Sequence, residues 1–226
     1  HLVLREVGGP GQQKLKAAKV AIVGAGGLGA PAALYLAAAG VGQIGLFDPD
    51  VVPLPTRQRQ IISLTADEGR PKVEAAAQRL MALNPHVVAV PVAEMVTALN
   101  AEDHFDEYDL VLDGTDDFAV RFAVNAACVA LGIPLVTGAI GRWSGQVSVF
   151  AGRPCYQCLV PEIPPDAETC VAVGVVGALA GVIGAMMALE AIKVITGAGD
   201  ATLQCLHESR GTVRVGADPA CPVCGG

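Results

Sequence analysis

The chain has 226 residues, of which 52% are hydrophobic and 16% charged, and its formal net charge is −7. This length suits one large domain that buries its own core, and the composition excludes a disordered or coiled-coil chain. The acidic balance argues against a nucleic-acid-binding protein, because neutralising phosphates requires a basic surface.

Apolar segments of strand length alternate with helical segments over residues 19–150. The predicted strands are Lys19–Gly24, Gln43–Asp48, Val87–Val92, Asp109–Asp113, Pro134–Gly138 and Gln146–Phe150. The predicted helices are Gly27–Ala39, Thr65–Leu83 (regular after Pro71) and Phe118–Leu131. This alternation predicts a mainly parallel sheet covered on both faces, which is a Rossmann-like, doubly wound α/β fold.

The pattern changes after about residue 152. A Pro-rich loop leads into an uncharged run, Val171–Leu189, and short strands near Thr202–Leu206 and Thr212–Val215 are predicted to extend the sheet in antiparallel fashion. No repeat or linker interrupts the chain. We therefore predict a single domain over 1–226, with a core part at about 19–150 and an elaboration at about 151–226.

The uncharged run Val171–Leu189 reaches the length of a membrane span, about 18 residues. It lacks a basic flank and an aromatic belt, and Glu190 and Lys193 continue its helical register, so we favour a buried helix over a span. The chain opens at His1 without a basic segment or an initiator Met. We expect no signal peptide, a cytoplasmic location and residues upstream of His1.

A glycine-rich motif, GAGGLG at Gly24–Gly29, follows the first predicted strand and opens the next helix. Glycines allow the backbone to approach phosphates, and a helix N-terminus offers free N–H groups. Asp48 ends the next predicted strand, where an acidic side chain bonds ribose hydroxyls. Together they predict a nucleotide site, the alternative being a turn that packs helix on strand. The motif does not distinguish NAD from ATP.

Three cationic residues, Arg57, Arg59 and Lys72, follow Asp48 in the loop and the start of the next helix. A triphosphate carries negative charge that such side chains bind, whereas a nicotinamide cofactor has no need of them. The cluster favours ATP. A nicotinamide oxidoreductase remains an alternative that shares the glycine loop and Asp48.

Three carboxylates, Asp113, Asp116 and Asp117, lie at the end of another predicted strand, in the crevice where open α/β sheets bind ligands. Carboxylates there suit Mg²⁺, a hard ion that bridges protein to phosphates. Asp116 or Asp117 could instead cap the helix that begins near Phe118. Because a cap needs only one side chain, we expect at least one of them to serve the metal and nucleotide.

Four of the seven cysteines form two C-x-x-C pairs, Cys155 with Cys158 and Cys221 with Cys224. Paired hooks of this kind match the four thiolates of a structural Zn²⁺ site, which would pin the C-terminal tail to the domain. Disulfides are the alternative, and they are disfavoured without a secretion signal.

The other three cysteines fall in different contexts. Cys128 and Cys205 lie in apolar helix and strand patterns, so we expect both to be buried and inert. Cys170 ends the Pro-rich loop before the long apolar helix, and a helix N-terminus stabilises a thiolate. Cys170 is therefore a candidate nucleophile, with a bystander thiol as the alternative.

Taken together, these motifs resemble the MoeB and ThiF adenylyltransferases, relatives of the ubiquitin-activating enzymes, over nearly the whole chain. The motifs that carry the resemblance are Gly24–Gly29, Asp48, Gln58-Arg59-Gln60, Pro71-Lys72-Val73-Glu74, Asp113-x-Thr115-Asp116, both cysteine hooks and Cys170. The resemblance implies the following nucleotide contacts: the loop glycines Gly24, Gly26, Gly27 and Gly29, with Asp48, Thr56, Arg59, Gln60, Lys72, Asp116 and Asp117.

Particular roles are also implied by the resemblance. Asp48 would hold the ATP ribose, Arg59 and Lys72 the phosphates, and Asp116 the Mg²⁺. Cys170 would match the family cysteine proposed to form a thioester or persulfide with the carrier. The long helix would lie near a homodimer contact.

The implied reaction joins ATP to the C-terminal carboxylate of a small ubiquitin-like sulfur carrier that ends in Gly-Gly. The carboxylate would attack the α-phosphate, and sulfur from a donor such as a cysteine desulfurase or a rhodanese would then displace AMP. Cations must neutralise two approaching anions, and little acid–base chemistry is needed. The carrier would serve molybdopterin, thiamine or related sulfur transfer.

The sequence departs from the family pattern in three places. Thr56-Arg57 replaces the usual Asn-Leu, and Asp117 replaces the usual Asn. The family Arg that reaches across a dimer would fall before His1, so no residue is assigned to it. These departures keep open an alternative function, a nucleotide-binding scaffold or regulator without turnover.

Overall fold

A computed structural model describes residues 1–163, 174–199, 203–206 and 211–225. The helices are α1 (Gly8–Ala17), α2 (Gly29–Ala39), α3 (Lys72–Leu83), α4 (Ala101–Phe105), α5 (Phe118–Leu131), α6 (Tyr156–Leu159) and α7 (Gly177–Thr196). The strands are β1 (Lys19–Val23), β2 (Gln43–Phe47), β3 (Val88–Val92), β4 (Leu110–Asp113), β5 (Leu135–Ile140), β6 (Gly145–Phe150), β7 (Leu203–Leu206) and β8 (Gly211–Val213). Short 3₁₀ turns cover Leu54–Gln58 and Thr65–Asp67.

The eight strands form one sheet in the order β3-β2-β1-β4-β5-β6-β7-β8. Strands β1 to β5 pair in parallel, with Val23 opposite both Phe47 and Asp113 in the centre of the sheet. Strands β6 to β8 add in antiparallel fashion. The predicted fold class, a doubly wound sheet with antiparallel C-terminal strands, is confirmed.

Helices cover the sheet on both faces, and each face has its own apolar core. One core joins α1, α2, α3 and α7 to the sheet through residues such as Leu36, Leu80 and Met187. The other joins α4, α5 and α6 through Phe105, Val124 and Tyr156. Because both faces are buried, the central strands need no polar residues, and this accounts for a mean hydropathy of +0.49.

Helix α7 packs into the first core through closely spaced small residues. A side chain at Gly177 would collide with the carbonyl oxygen of Gln58, and one at Gly184 with that of Leu28. Among the described residues, α7 alone is long and apolar enough to cross a membrane by length and composition. Because α7 packs into the first core, we interpret it as a core helix rather than a membrane span. Val182 and Leu189 remain exposed on its other face.

Two expectations about helices need correction. The long helix begins at Gly177 rather than near Val171, because Gly174–Val176 are not helical. Helix α1 was not predicted at all, since the GGPG segment at its start is typical of turns. It forms because Leu15 is fully buried and Lys14 Nζ donates to the Thr196 carbonyl at 2.9 Å, contacts made with a distant helix.

Candidate functional site

The glycine loop and the Asp113–Thr115 loop meet at the carboxyl ends of β1 and β4, the two strands from which the chain crosses over in opposite directions. Gly24 adopts a φ of 89°, and a side chain there would lie 3.2 Å from Thr115 and 3.3 Å from the Gly114 backbone. The two loops are therefore in contact at the switch point where such sheets bind ligands.

At each of the predicted loop glycines, a side chain would contact different atoms. A side chain at Gly29 would strike the Gly24 carbonyl oxygen, so Gly29 allows helix α2 to pack onto β1. A side chain at Gly27 would lie 3.4 Å from Ala180 and from Arg59. At Gly26 the nearest atom would be Gln60 Nε2 at 3.9 Å, so the space above the backbone is open. That open position suits the approach of a phosphate.

A cavity of about 630 Å³ lies above these loops. It is lined by the glycine loop and by the predicted side chains, which are Asp48, Thr56, Arg59, Gln60, Lys72, Asp116 and Asp117. The structure thus gathers the predicted nucleotide residues that it describes in one place, except Gly29, which packs against the Gly24 carbonyl oxygen instead. The side chain of Arg57 lies outside the described part.

Asp48 is 6% exposed and closes the end of β2 against the glycine loop. Its Oδ2 accepts a hydrogen bond of 2.8 Å from the Ala25 amide, and its Oδ1 accepts one of 2.9 Å from the Asp50 amide. The carboxylate is therefore oriented before any ligand binds.

Lys72 is the first residue of α3 and is only 6% exposed. Its Nζ lies 2.7 Å from Asp50 Oδ2 and 3.6 Å from Asp48 Oδ1. Sequence reasoning missed Asp50, although its position two residues after Asp48 was a usable signal. The two carboxylates hold the ammonium group at the cavity wall, so a buried cation is available to an incoming anion.

Gln60 is a buried residue of the cavity lining, and among the described residues its Oε1 has no hydrogen-bond partner. A buried carbonyl oxygen without a partner costs roughly 1–3 kcal/mol, so a ligand that donates a hydrogen bond would relieve it. This atom fits the prediction that Gln60 contacts a bound group.

The carboxylates at and just after the end of β4 make different contacts. Asp113 is buried and accepts hydrogen bonds from the Thr115 amide at 3.0 Å and the Thr115 hydroxyl at 2.7 Å. Asp117 is the N-cap of α5, and its Oδ1 accepts from the amides of Ala119 and Val120 at 2.7 and 3.2 Å. Asp117 therefore satisfies the capping alternative. Asp116 lies between them on the cavity wall, where it can face a cation.

The two cysteine hooks come together across 66 residues of chain. Cys155 Sγ lies 3.6 Å from Cys221 Sγ, Cys158 Sγ lies 3.5 Å from Cys224 Sγ, and all four sulfurs are within 4.8 Å of one another. A tetrahedral ion with Zn–S bonds of about 2.3 Å requires sulfur–sulfur edges of about 3.8 Å. The spacing therefore fits a single bound ion.

Backbone and side-chain N–H groups also point at the cluster. Asn125 Nδ2 donates to Cys155 Sγ and the Asp218 amide donates to Cys158 Sγ, each at 3.5 Å. Burial alone would raise the pKa of Cys221, but hydrogen bonds from neighbouring backbone amides outweigh it and lower that pKa. Burial raises the pKa of Cys155 and of Cys224. A positive ion at the centre would offset this burial and favour four thiolates.

Of the three remaining cysteines, the structure describes the side chain of Cys128. Cys128 is buried in α5, as predicted, and burial raises its pKa to about 12. Cys170 and the side chain of Cys205 lie outside the described residues. The long helix begins at Gly177, with Val176 as its N-cap, and the role of Cys170 as a nucleophile stays a prediction.

Comparison with known proteins gives a match to the ThiF family over residues 1–222. The chain is 43% identical to a sulfur carrier protein adenylyltransferase of Thermus thermophilus, covering 100% of this chain and 89% of that protein. It is 42% identical to the molybdopterin-synthase adenylyltransferase of Escherichia coli, covering 100% and 94%. It is 40% identical to the SAMP-activating enzyme E1 of Haloferax volcanii, covering 100% and 87%.

Solved structures share the fold at lower sequence identity. Escherichia coli MccB with MccA-N7isoASN superposes with a TM-score of 0.85 at 22% identity, covering 96% of this chain and 69% of that one. MccB with ATP gives a TM-score of 0.81 at 23% identity, with the same coverage. These likenesses establish a common architecture.

Proposed function

This chain belongs to the ThiF family, and from that premise we propose that it is an ATP-dependent adenylyltransferase. Its substrate is the C-terminal Gly-Gly carboxylate of a small ubiquitin-like sulfur-carrier protein. The names of the relatives in Thermus thermophilus and Escherichia coli support this substrate class.

One observation carries the proposal: Arg59, Lys72 and Asp116 line the same cavity as the open backbone at Gly26. Adenylation brings a carboxylate up to a triphosphate, so charge neutralisation is the main requirement. Arg59 and Lys72 would supply two cations to the phosphates, and Asp116 would hold Mg²⁺ against them. Asp48 would accept hydrogen bonds from the ribose hydroxyls through lone pairs that the backbone amides leave available.

In the proposed reaction, a carboxylate oxygen of the carrier forms a bond to the α-phosphorus of ATP. The bond from that phosphorus to the bridging oxygen breaks, and the electron pair leaves with pyrophosphate. Arg59 and Lys72 orient and neutralise the phosphate chain, and Gln60 Oε1 accepts a hydrogen bond from the bound substrates. The product is an acyl adenylate, with no proton transfer required.

We further propose a second step, in which the adenylated carrier receives sulfur, and the partners that this step requires. The outer sulfur of a persulfide on a donor such as a cysteine desulfurase or rhodanese attacks the acyl carbon and displaces AMP, which leaves an acyl disulfide between carrier and donor. A second thiol then cleaves this S–S bond, becomes disulfide-bonded to the donor cysteine and releases the thiocarboxylate, for molybdopterin, thiamine or related sulfur transfer. We place the enzyme in the cytoplasm as a homodimer, whose interface would include the exposed α7 residues Val182 and Leu189. The cysteine cluster would hold one structural Zn²⁺.

Exchange of labelled pyrophosphate into ATP tests the activity. We expect exchange only when Mg²⁺ and a carrier ending in Gly-Gly are both present, and a carrier truncated by its last glycine is the matched control. Exchange that ignores the carrier's terminus, or no exchange with any of several carriers, would contradict the proposal.

Two sequence features support the alternative function, a nucleotide-binding scaffold or regulator without turnover. Thr56 replaces the usual Asn, and Asp117 adds a negative charge beside the cavity. A scaffold would bind Mg·ATP and the carrier without exchange, so calorimetric ATP binding measured alongside exchange separates the two functions.

Cys170 is proposed to act after adenylation, either as the thiol that displaces AMP and forms a thioester with the carrier, or as the thiol that takes the outer sulfur of the donor's persulfide and leaves the donor cysteine as a thiol. Cys170→Ala should then leave pyrophosphate exchange within about twofold of wild type, while thiocarboxylate formation falls. Loss of exchange would place Cys170 in the first step instead.

A further inference from the structure

Arg121 is a buried arginine of α5 that the sequence motifs did not select. It is 5% exposed, and its guanidinium reaches the carboxyl ends of the central strands. Its Nη2 donates to the carbonyl oxygens of Thr115 and Gly138, the latter at 2.6 Å. Its Nη1 donates to Thr137 Oγ1 at 2.9 Å and lies 3.4 Å from Asp113 Oδ2. Both terminal nitrogens are thus engaged by the protein.

These contacts fix the peptide that precedes Asp116. The Thr115 carbonyl is held by Arg121, while the Thr115 amide and hydroxyl are both held by Asp113. Asp113 and Arg121 also face each other as a buried ion pair. The backbone entering Asp116 is therefore anchored on both sides, and this sets where the Asp116 carboxylate lies on the cavity wall.

The guanidinium of Arg121 lies over the ring of Tyr156, a residue between Cys155 and Cys158 in the first C-x-x-C pair. The guanidinium carbon is 5.9 Å from the centre of the Tyr156 ring, a cation–π distance. The ring is 3% exposed and packs against Phe122 and Phe150, each with ring centres 6.1 Å away. The ring therefore has little freedom to move relative to Arg121.

Asn125 connects Tyr156 to the cysteine cluster. The Tyr156 amide donates to Asn125 Oδ1 at 2.8 Å, and Asn125 Nδ2 donates to Cys155 Sγ at 3.5 Å. Asn125 is 1% exposed, so these bonds are shielded from water. A continuous set of packed and hydrogen-bonded groups thus runs from the cluster to Asp116.

We propose that Arg121 is a positioning residue that holds the Thr115–Asp116 peptide ready for a divalent cation, and that Tyr156 links it to the cysteine cluster. This inference rests on the proposed function, in which Asp116 binds the Mg²⁺ of Mg·ATP. It adds a dependence of Mg²⁺ affinity on Arg121 and Tyr156, which also line the cavity but whose hydrogen bonds and ring contacts are made with the protein.

The first test is Arg121→Lys, which keeps a positive charge beside Asp113 but cannot bond Thr115, Thr137 and Gly138 together. Outer-shell changes of this kind typically cost 10–100-fold in metal affinity, so we expect the Mg²⁺ concentration at half-saturation to rise by roughly tenfold. It is measured both in pyrophosphate exchange and in calorimetric binding of ATP. ATP affinity without Mg²⁺ and exchange at saturating Mg²⁺ should change little. Arg79→Lys, on an exposed position of α3, is the control.

The second test is Tyr156→Leu, which leaves the Asp113–Arg121 pair intact and serves even if Arg121→Lys fails to fold. We expect half-saturating Mg²⁺ to rise while bound zinc, measured by atomic emission, stays unchanged. In the double variant the shift should not exceed the larger single shift, since both residues act through one peptide. Leu80→Ala, in the core on the opposite face of the sheet, controls for lost stability.

The results of these two tests distinguish the positioning roles, the link between the two residues and the proposed function. A wild-type Mg²⁺ requirement in Arg121→Lys, or in Tyr156→Leu, would overturn the positioning role of that residue. Fully additive shifts in the double variant would overturn the link between them. A wild-type chain that binds ATP equally with and without Mg²⁺ would contradict the proposed function itself, and this inference with it.

Discussion

Lys72 Nζ lies 2.7 Å from Asp50 Oδ2, so the cation proposed to bind phosphate is already paired within the cavity wall. Asp48 Oδ1, 3.6 Å away, completes the arrangement. The carboxylates offset the cost of burying an ammonium group and hold it in the wall of the cavity that the glycine loop also lines. An incoming triphosphate must compete with Asp50 for the Lys72 ammonium group. Because the Asp50 side chain is solvent-exposed, we expect the triphosphate to bind the ammonium group more strongly than Asp50 does.

Replacing Lys72 with Met should lower pyrophosphate exchange by about 100-fold or more, because a charge facing the transition state is lost from a desolvated site. The KM for ATP should rise as well. Lys16→Met, on an exposed face of α1, is the control and should behave as wild type. Steady-state exchange kinetics would measure both, and unchanged kinetics in Lys72→Met would remove its role.

The neighbouring carboxylates Asp116 and Asp117 should respond differently to the same isosteric change. Asp116→Asn should lower exchange by about 100-fold, since it weakens a proposed Mg²⁺ ligand. Asp117→Asn should keep exchange within about threefold, because Asn caps helices about as well as Asp. Asp117→Ala should cost about 1 kcal/mol in free energy of unfolding. Equal losses of exchange in both Asn variants would show that Asp117 contacts the nucleotide.

The cysteine cluster should bind about one zinc ion per chain, measurable by atomic emission on the purified protein. Cys221→Ser should lose the ion and expose the C-terminal tail to proteolysis, because the hooks join segments 66 residues apart. Cys128→Ala, a thiol outside the cluster, should retain the metal. A well-folded wild-type chain free of metal after gentle purification would refute this expectation.

The buried thiol of Cys128 should resist alkylation by iodoacetamide at about pH 8 until the protein is unfolded, because the thiolate is the reactive form. Burial raises the pKa of the folded thiol to about 12 from its ordinary value of 9.0, so the unfolded chain releases this proton first. Stability should therefore fall between those values as pH rises, by up to about 1.4 kcal/mol per pH unit. Cys128→Ala should lack this part of the slope in urea unfolding at about pH 8 and pH 10.

Two glycines of α7 should give opposite results when replaced by Ala. At Gly184 a side chain would collide with Leu28 and Pro31, so Gly184→Ala should cost about 1–3 kcal/mol in free energy of unfolding. At Gly181 no atom lies within 4 Å of the added carbon, and Gly181→Ala should stabilise by about 0.5–1 kcal/mol through helix propensity. Denaturant unfolding compares the two, and equal effects would contradict the tight packing of α7.

The sequence alone was sufficient wherever the signal is local. Helix α5 was predicted with the observed bounds, Phe118–Leu131, because Asp117 caps its start and Gly132 ends it in a left-handed conformation. The glycine loop, Asp48 and the cysteine hooks were likewise recognisable from spacing, and the apolar strands from composition. The division into a core part and a C-terminal elaboration stays a prediction.

Only the tertiary structure decided features that depend on contacts between distant segments. Helix α1 begins in a turn-like sequence and exists because it packs on α7. Arg121 looks like an ordinary helix residue until the fold places Gly138 and Thr115 around it, and the pairing of Asp50 with Lys72 is likewise set by the fold. The reason is physical: propensity and spacing act over a few residues, whereas burial and electrostatic pairing are set when separate elements converge.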